Sequence, residues 1–197
     1  MVFFLTWQHW LVVISTCLFA YGGWAYIRDT LAGRSKPNRV TWGMWALAPL
    51  IGTGAALYAG ADPWAVARVF LAGFLPLCVF LASFVNKQSY WKLDMFDILC
   101  GIFSLAALGA WWLADSPNTA ILFAAIGDGF AALPTVRKAW AHPETETGTA
   151  FVMSLLASIL MLPAIPVWDI QNSAFQIYLL AANTVLIVAV YRKQLFK

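Results

Sequence analysis

Seven apolar runs, each about twenty residues long and each closed by a short polar break, constrain this chain more than any other feature. They cover residues 10–30, 40–59, 64–85, 93–114, 118–139, 149–168 and 174–191. A helix needs about 20 apolar residues to cross the hydrocarbon core of a bilayer. Every backbone polar group at that depth must be satisfied within the segment, so the runs are expected to be transmembrane helices. The expected fold is therefore an all-α integral membrane protein with seven transmembrane helices. Hydrophobic residues make up 62% of the 197 and charged ones 11%, about half the charged share of a soluble domain. That length leaves no room for a separate soluble module. The first run lacks a basic stretch ahead of it and a small-residue cleavage site, so it is expected to be a retained helix. Cys17, Cys78 and Cys100 sit in separate apolar segments without metal-ligand spacing and read as packing residues.

The basic residues orient the runs. Arg28, Arg34, Lys36 and Arg39 fall in or beside the first connection, Lys87 and Lys92 in the third, and Arg137 and Lys138 at the fifth. Arg192, Lys193 and Lys197 follow the last run. These are eleven of the twelve lysines and arginines, and short basic connections stay cytoplasmic. The expectation is an external N-terminus and a cytoplasmic C-terminus in the plasma (inner) membrane. Arg68 is the exception, and it is expected to snorkel outward or pair with Asp62. Trp10, Trp42, Trp45, Trp64, Trp91, Trp111, Trp112, Trp140 and Trp168 lie near run ends, as an aromatic belt requires.

Two halves resemble each other. Arg28 opens a connection that leads into Val40-Thr41-Trp42-Gly43-Met44, and Arg137 opens one that leads into Thr149-Ala150-Phe151-Val152-Met153, 109 residues further on in both places. Two three-helix units joined by one helix would be parallel repeats, with residues 1–87 and 117–197 as the bundles and 88–116 as the linker. Internal symmetry of this kind is a transporter signature, with the site between the halves near the midplane.

One ionisable residue lies in the middle of an apolar run. Asp128 stands in Ala124-Ala125-Ile126-Gly127-Asp128-Gly129-Phe130-Ala131. A charged group at the bilayer centre costs at least ~2.5 kcal/mol and usually faces a cavity or a partner. Gly127 and Gly129 leave the backbone beside it uncovered and easy to unwind. Pro134, six residues on, removes one helix hydrogen bond and permits a bend. Asp128 is thus the expected functional centre, for proton coupling or for sensing a cation. Its expected neighbours are Asn183 at the same depth, Ser154 and Ser158 one turn apart on the sixth run, and Tyr21 and Thr53 from the first half. Asp94 and Asp97 read as caps at a helix start, and Glu144 and Glu146 as a solvated salt-bridge cluster beside Arg137 and Lys138.

The 3+1+3 plan resembles the SWEET sugar-transporter and PQ-loop superfamily, as a divergent, bacterial-type member. The most specific stretch is Leu133-Pro134-Thr135-Val136-Arg137-Lys138 followed by Thr145-Glu146-Thr147-Gly148-Thr149-Ala150-Phe151. Thr135 stands where that pattern has Gln, and Ala25-Tyr26 replaces Pro-Gln in the first half. The resemblance implies alternating access about proline hinges, here Pro49, Pro134 and Pro163, and maps the family's pocket asparagine to Asn183. The third run offers Leu75-Pro76-Leu77 instead of a second asparagine.

The expected function is transport of a small polar solute, a sugar, an amino acid or a vitamin-like compound. The alternative is a receptor or cargo-binding protein on the same helices. Enzyme chemistry is not expected. Gly127-Asp128 has no second mid-membrane aspartate with which to share acid–base work, and His-Glu-x-x-His and Gly-x-Ser-x-Gly are missing. A retinal Schiff base would need a lysine inside the last run, which has none. His9 and His142 lie at interfaces and cannot form a metal cluster, so no cofactor or metal is expected. The expected partners are the solute and the lipid bilayer, with homo-oligomerisation possible. The net charge of +3 gives no sign of nucleic-acid binding.

Overall fold

The computed structural model describes residues 6–61, 63–165 and 167–196, with side chains omitted at 63–65. Seven α-helices follow one another: α1 (Trp7–Leu31), α2 (Arg39–Tyr58), α3 (Pro63–Val85), α4 (Met95–Trp112), α5 (Pro117–Ala141), α6 (Gly148–Met161) and α7 (Ile170–Leu195). Short 3-10 turns lie at Lys87–Ser89, Pro143–Thr145 and Leu162–Ala164. All but α6 are long and apolar enough to cross a membrane, so the chain is an integral membrane protein.

Helix ends are written locally. Asn38 caps α2 by accepting from the N–H groups of Val40 and Thr41, at 3.0 and 3.4 Å. Asp94 and Asp97 form a reciprocal capping box on α4, as their positions predict. The N–H of Asp97, and the guanidinium of Arg137 at 2.7 Å, hold Asp94 below the usual carboxylate range. That contact therefore persists until the pH falls through the lowered value. Gly33 and Gly60 end α1 and α2 at φ 75°, the left-handed conformation that stops a helix at little cost to glycine.

The sixth run departs from expectation. It was expected to stay helical over 149–168, but α6 stops after 14 residues, about 21 Å at 1.5 Å per residue. Pro163 follows within two residues, in the 3-10 turn. A proline disfavours helical geometry in the residue before it and lacks the N–H to continue the ladder. Pro163 is exposed and lies past the helix end, so it is not a hinge inside a span.

Packing is polar and small inside, large and apolar outside. On α4, Asp97, Cys100, Gly101, Ser104 and Ala107 are buried, while Ile98, Leu99, Ile102, Phe103 and Leu105 face outward. Lipid tails are as apolar as leucine, so helices gain by close approach of small residues and not by hiding large ones. Gly127 of α5 shows the approach: a Cβ there would stand 3.2 Å from that of Ala107. Ser104 Oγ also donates to the Gly127 carbonyl at 2.7 Å. The glycines around Asp128 thus serve helix contact, and α5 runs through them unbroken.

Helix α3 packs against both α1 and α2, and α7 against both α5 and α6. Between these groups α1 meets α6 and α2 meets α5, and α4 lies against α5 and α2. The end carrying the basic connections is closed. There Ser35, Asn38, Ser89, Thr145 and Thr147 are buried although they lie in or beside loops. At the opposite end residues 59–61, 115–116 and 167–169 are exposed.

Candidate functional site

Two adjoining cavities open between the helices, with volumes of about 220 and 430 Å³. Asp128, Arg68, Pro49, Ala72, Phe175 and Leu179 line both. The larger extends toward α4, past Ser104, Leu108 and Trp111. The smaller lies between the two helix groups, and Trp42, Ala150, Phe151 and Leu186 contribute to its wall. These four belong, with Tyr26 and Val79, to the principal buried cluster of the protein.

Asp128 is half-buried, and Tyr178 Oη donates to its Oδ2 at 2.6 Å. Asn183 lines the smaller cavity and spends one amide hydrogen on the Leu179 carbonyl of its own helix, at 2.8 Å. Ser154 and Ser158 line the same cavity. The structure thus brings Asp128, Asn183, Ser154, Ser158 and Pro49 around one space.

Tyr21 and Thr53 do not join them. Tyr21 is half exposed and packs on Trp24 at a ring separation of 5.9 Å. The cavity face of α1 is Ser15, Thr16, Phe19 and Gly23, and at 100° per residue Tyr21 points about 200° away from Phe19. Thr53 is buried, but its hydroxyl donates to the Pro49 carbonyl at 2.8 Å and lines neither cavity. Such back-bonding bends a helix, here beside Pro49.

Four groups escaped the sequence reading. Arg68 turns toward the cavities instead of snorkelling away; its suggested partner Asp62 lies outside the described residues. Tyr178 is 50 residues from Asp128, and nothing local announces their contact. Trp42 and Trp45 are cavity walls and not belt residues; their buried indole N–H groups are directed at the Tyr26 hydroxyl and the Asp128 carboxylate, just short of full hydrogen bonds. A signal for them did exist in the 109-residue spacing. Phe19 and Asp128, Trp42 and Phe151, Trp45 and Ser154, and Pro49 and Ser158 all line the smaller cavity as pairs separated by that interval.

The basic end carries a second group of charges. Lys138 Nζ lies 2.6 Å from Glu146 Oε1, and both side chains are buried to within 1%. Tyr26 Oη donates to Glu146 Oε2 at 2.6 Å, and Lys138 also donates to the Lys36 carbonyl. Lys36 N–H reaches the Thr145 carbonyl at 2.9 Å, and Thr147 Oγ1 reaches Asp29 at 3.1 Å. The expected solvated cluster is therefore half right. Glu144 and Arg137 are exposed, Arg137 pairing with Asp94 instead, whereas Glu146 and Lys138 form a latch between the first and fifth connections. Burial follows because both loops fold over the pair and bring hydroxyl and carbonyl partners with them.

Pro134 is fully buried inside α5, between Asp128 and this latch. Pro134→Ala should restore one hydrogen bond and stiffen α5. Backbone amides of α5 around Pro134 should then exchange hydrogen more slowly than in the wild type, and unchanged exchange would count against a bend at this position.

Compared with protein-family models, with curated proteins and with solved structures, the chain matches none. Among the described residues no group of three or more His, Cys, Asp or Glu side chains could hold a metal ion.

Proposed function

We propose that this protein is a transporter that moves a small polar solute by alternating access, with Asp128 as the group that loads a proton or the positive charge of the solute. One observation carries the reading. A carboxylate midway along a membrane helix opens into a cavity between two helix groups, closed at one end by buried polar contacts. A purely structural acid would be expected to have its oxygens consumed by neighbouring helices. This one accepts from Tyr178 on Oδ2 and faces the Trp45 indole N–H, yet it still borders both cavities.

The halves support it as parallel repeats. Helices α1, α3 and α2 pack in the same order as α5, α7 and α6, and the cross-contacts α1 with α6 and α2 with α5 exchange under a two-fold axis. The cavity positions obey the same exchange. Besides the pairs 109 residues apart, Arg68 and Phe175, Ala72 and Leu179, Leu75 and Ala182, and Pro76 and Asn183 recur at 107. Pro76 thus occupies the place that corresponds to Asn183. These relations, with α4 as the linker, favour seven spans in a 3+1+3 order, α6 being the short one, and they agree with the SWEET and PQ-loop resemblance. In this arrangement the latched end faces the cytoplasm and the cavity is reached from outside.

The topology is open to direct measurement. An alkaline phosphatase tag before Met1 should be active outside the cell, and a fluorescent reporter after Lys197 should fold inside it. Both ends on one side of the membrane would refute the seven-span reading. Transport itself is tested by accumulation of labelled sugars, amino acids and vitamins in proteoliposomes. Binding without accumulation would favour a receptor.

A further inference from the structure

Asp128 and Arg68 share both cavities, yet no ion pair within 4.0 Å joins them. They differ in depth. Arg68 is five residues into α3 and Asp128 eleven into α5. Both helices start at the open end, so the difference of six residues is roughly 9 Å along the axis. The remaining wall of the smaller cavity is chiefly apolar and aromatic, with Trp42, Trp45, Phe19 and Phe175 prominent. One acid and one base, set apart in such surroundings, match a molecule that carries both charges and an apolar body.

We propose that the solute is a zwitterion of amino-acid type with an apolar side chain, its ammonium on Asp128 and its carboxylate toward Arg68. This deepens the transporter reading and rests on it for the site. The indole N–H of Trp45 is directed at Asp128 and that of Trp42 at the Tyr26 hydroxyl, so the carboxylate end rests on the Arg68 guanidinium. Asn183 keeps its side-chain oxygen for the ammonium, since its one bond uses the amide nitrogen. A guanidinium matches a carboxylate through two parallel hydrogen bonds. A sugar would bring neither charge and would leave both ionic groups desolvated against neutral hydroxyls, which is costly.

The test is equilibrium binding to the purified full chain, with L-phenylalanine and L-leucine as probes. The controls are phenylalanine amide, which lacks the carboxylate, 3-phenylpropanoate, which lacks the ammonium, and glucose. Each single-charge analogue should bind about 10- to 100-fold more weakly than phenylalanine, the range expected for losing a hydrogen-bonded charge. Arg68→Gln should weaken phenylalanine to the level of the amide and affect the amide itself little. Asp128→Asn should weaken phenylalanine to the level of 3-phenylpropanoate. Arg68→Lys, which keeps the charge, should retain part of the affinity and shows that losses at this position are not misfolding. Binding of neither amino acid, or equal binding of phenylalanine and its amide, overturns the proposal. Accumulation of glucose in vesicles with no amino acid bound overturns it and leaves transport standing. Phenylalanine bound but never moved overturns transport and leaves the zwitterion site standing.

Discussion

Asp128→Asn should abolish the dependence of uptake on a pH gradient and lower the rate at least about tenfold, while the protein stays folded. The substitution keeps the shape of the side chain, and an amide can still accept the hydrogen bond from Tyr178 Oη. It cannot exchange a proton, and it cannot neutralise a cation. A loss of tenfold corresponds to about 1.4 kcal/mol, well within the worth of one hydrogen bond to a charged group. The measurement is initial uptake in proteoliposomes at several imposed pH gradients, with the melting temperature of wild type and mutant as the folding control. An unchanged pH profile would make Asp128 a structural residue and end the coupling proposal.

Glu146→Ala should be among the most destabilising single changes in the molecule. It strands the Lys138 ammonium in a buried site and removes the acceptor of Tyr26 Oη. Breaking a buried ion pair from one side costs about 3–5 kcal/mol. For a chain of this size that is a fall of roughly 10 °C in melting temperature. The paired replacement Lys138→Met with Glu146→Leu should recover much of the loss, because apolar residues of similar volume need no compensating charge. In vesicles the repaired double variant should still transport more slowly than wild type, since an apolar plug has no polar partners to exchange as the latch opens. A single variant that melts with the wild type would show that the pair is solvated.

The helices were legible because length and hydropathy alone decide them. The start of α4 followed from Asp94 and Asp97, whose own chemistry begins a helix. The early end of α6 was less visible, because Ile165, Val167 and Trp168 prolong the apolar run past the proline that breaks the ladder. Asp128 could be found as a lone charge among apolar neighbours. Its surroundings could not, since Tyr178, Arg68 and Trp45 come from three other helices. Tyr21 lies at mid-span depth but off the cavity face of α1, and depth says nothing about which side a residue faces. Glu146 and Lys138 were illegible for a different reason. Charges in a polar connection look solvated until two connections fold onto each other.

The short α6 has an electrical consequence. Its 14 residues and the three of the following 3-10 turn rise about 27 Å against the ~30 Å of a hydrocarbon core, so the margin is thinnest at the open end. Thinned lipid or entering water at that end would carry the bathing medium toward Asp128 at nearly its own electrical potential, and the membrane voltage would then drop mainly across the latched half. Each elementary charge carried across that half is worth about 2.3 kcal/mol per 100 mV. Occupation of the cavity should therefore respond little to voltage. The opening of the Lys138–Glu146 latch, with a charged Asp128 crossing the compressed field, should respond strongly.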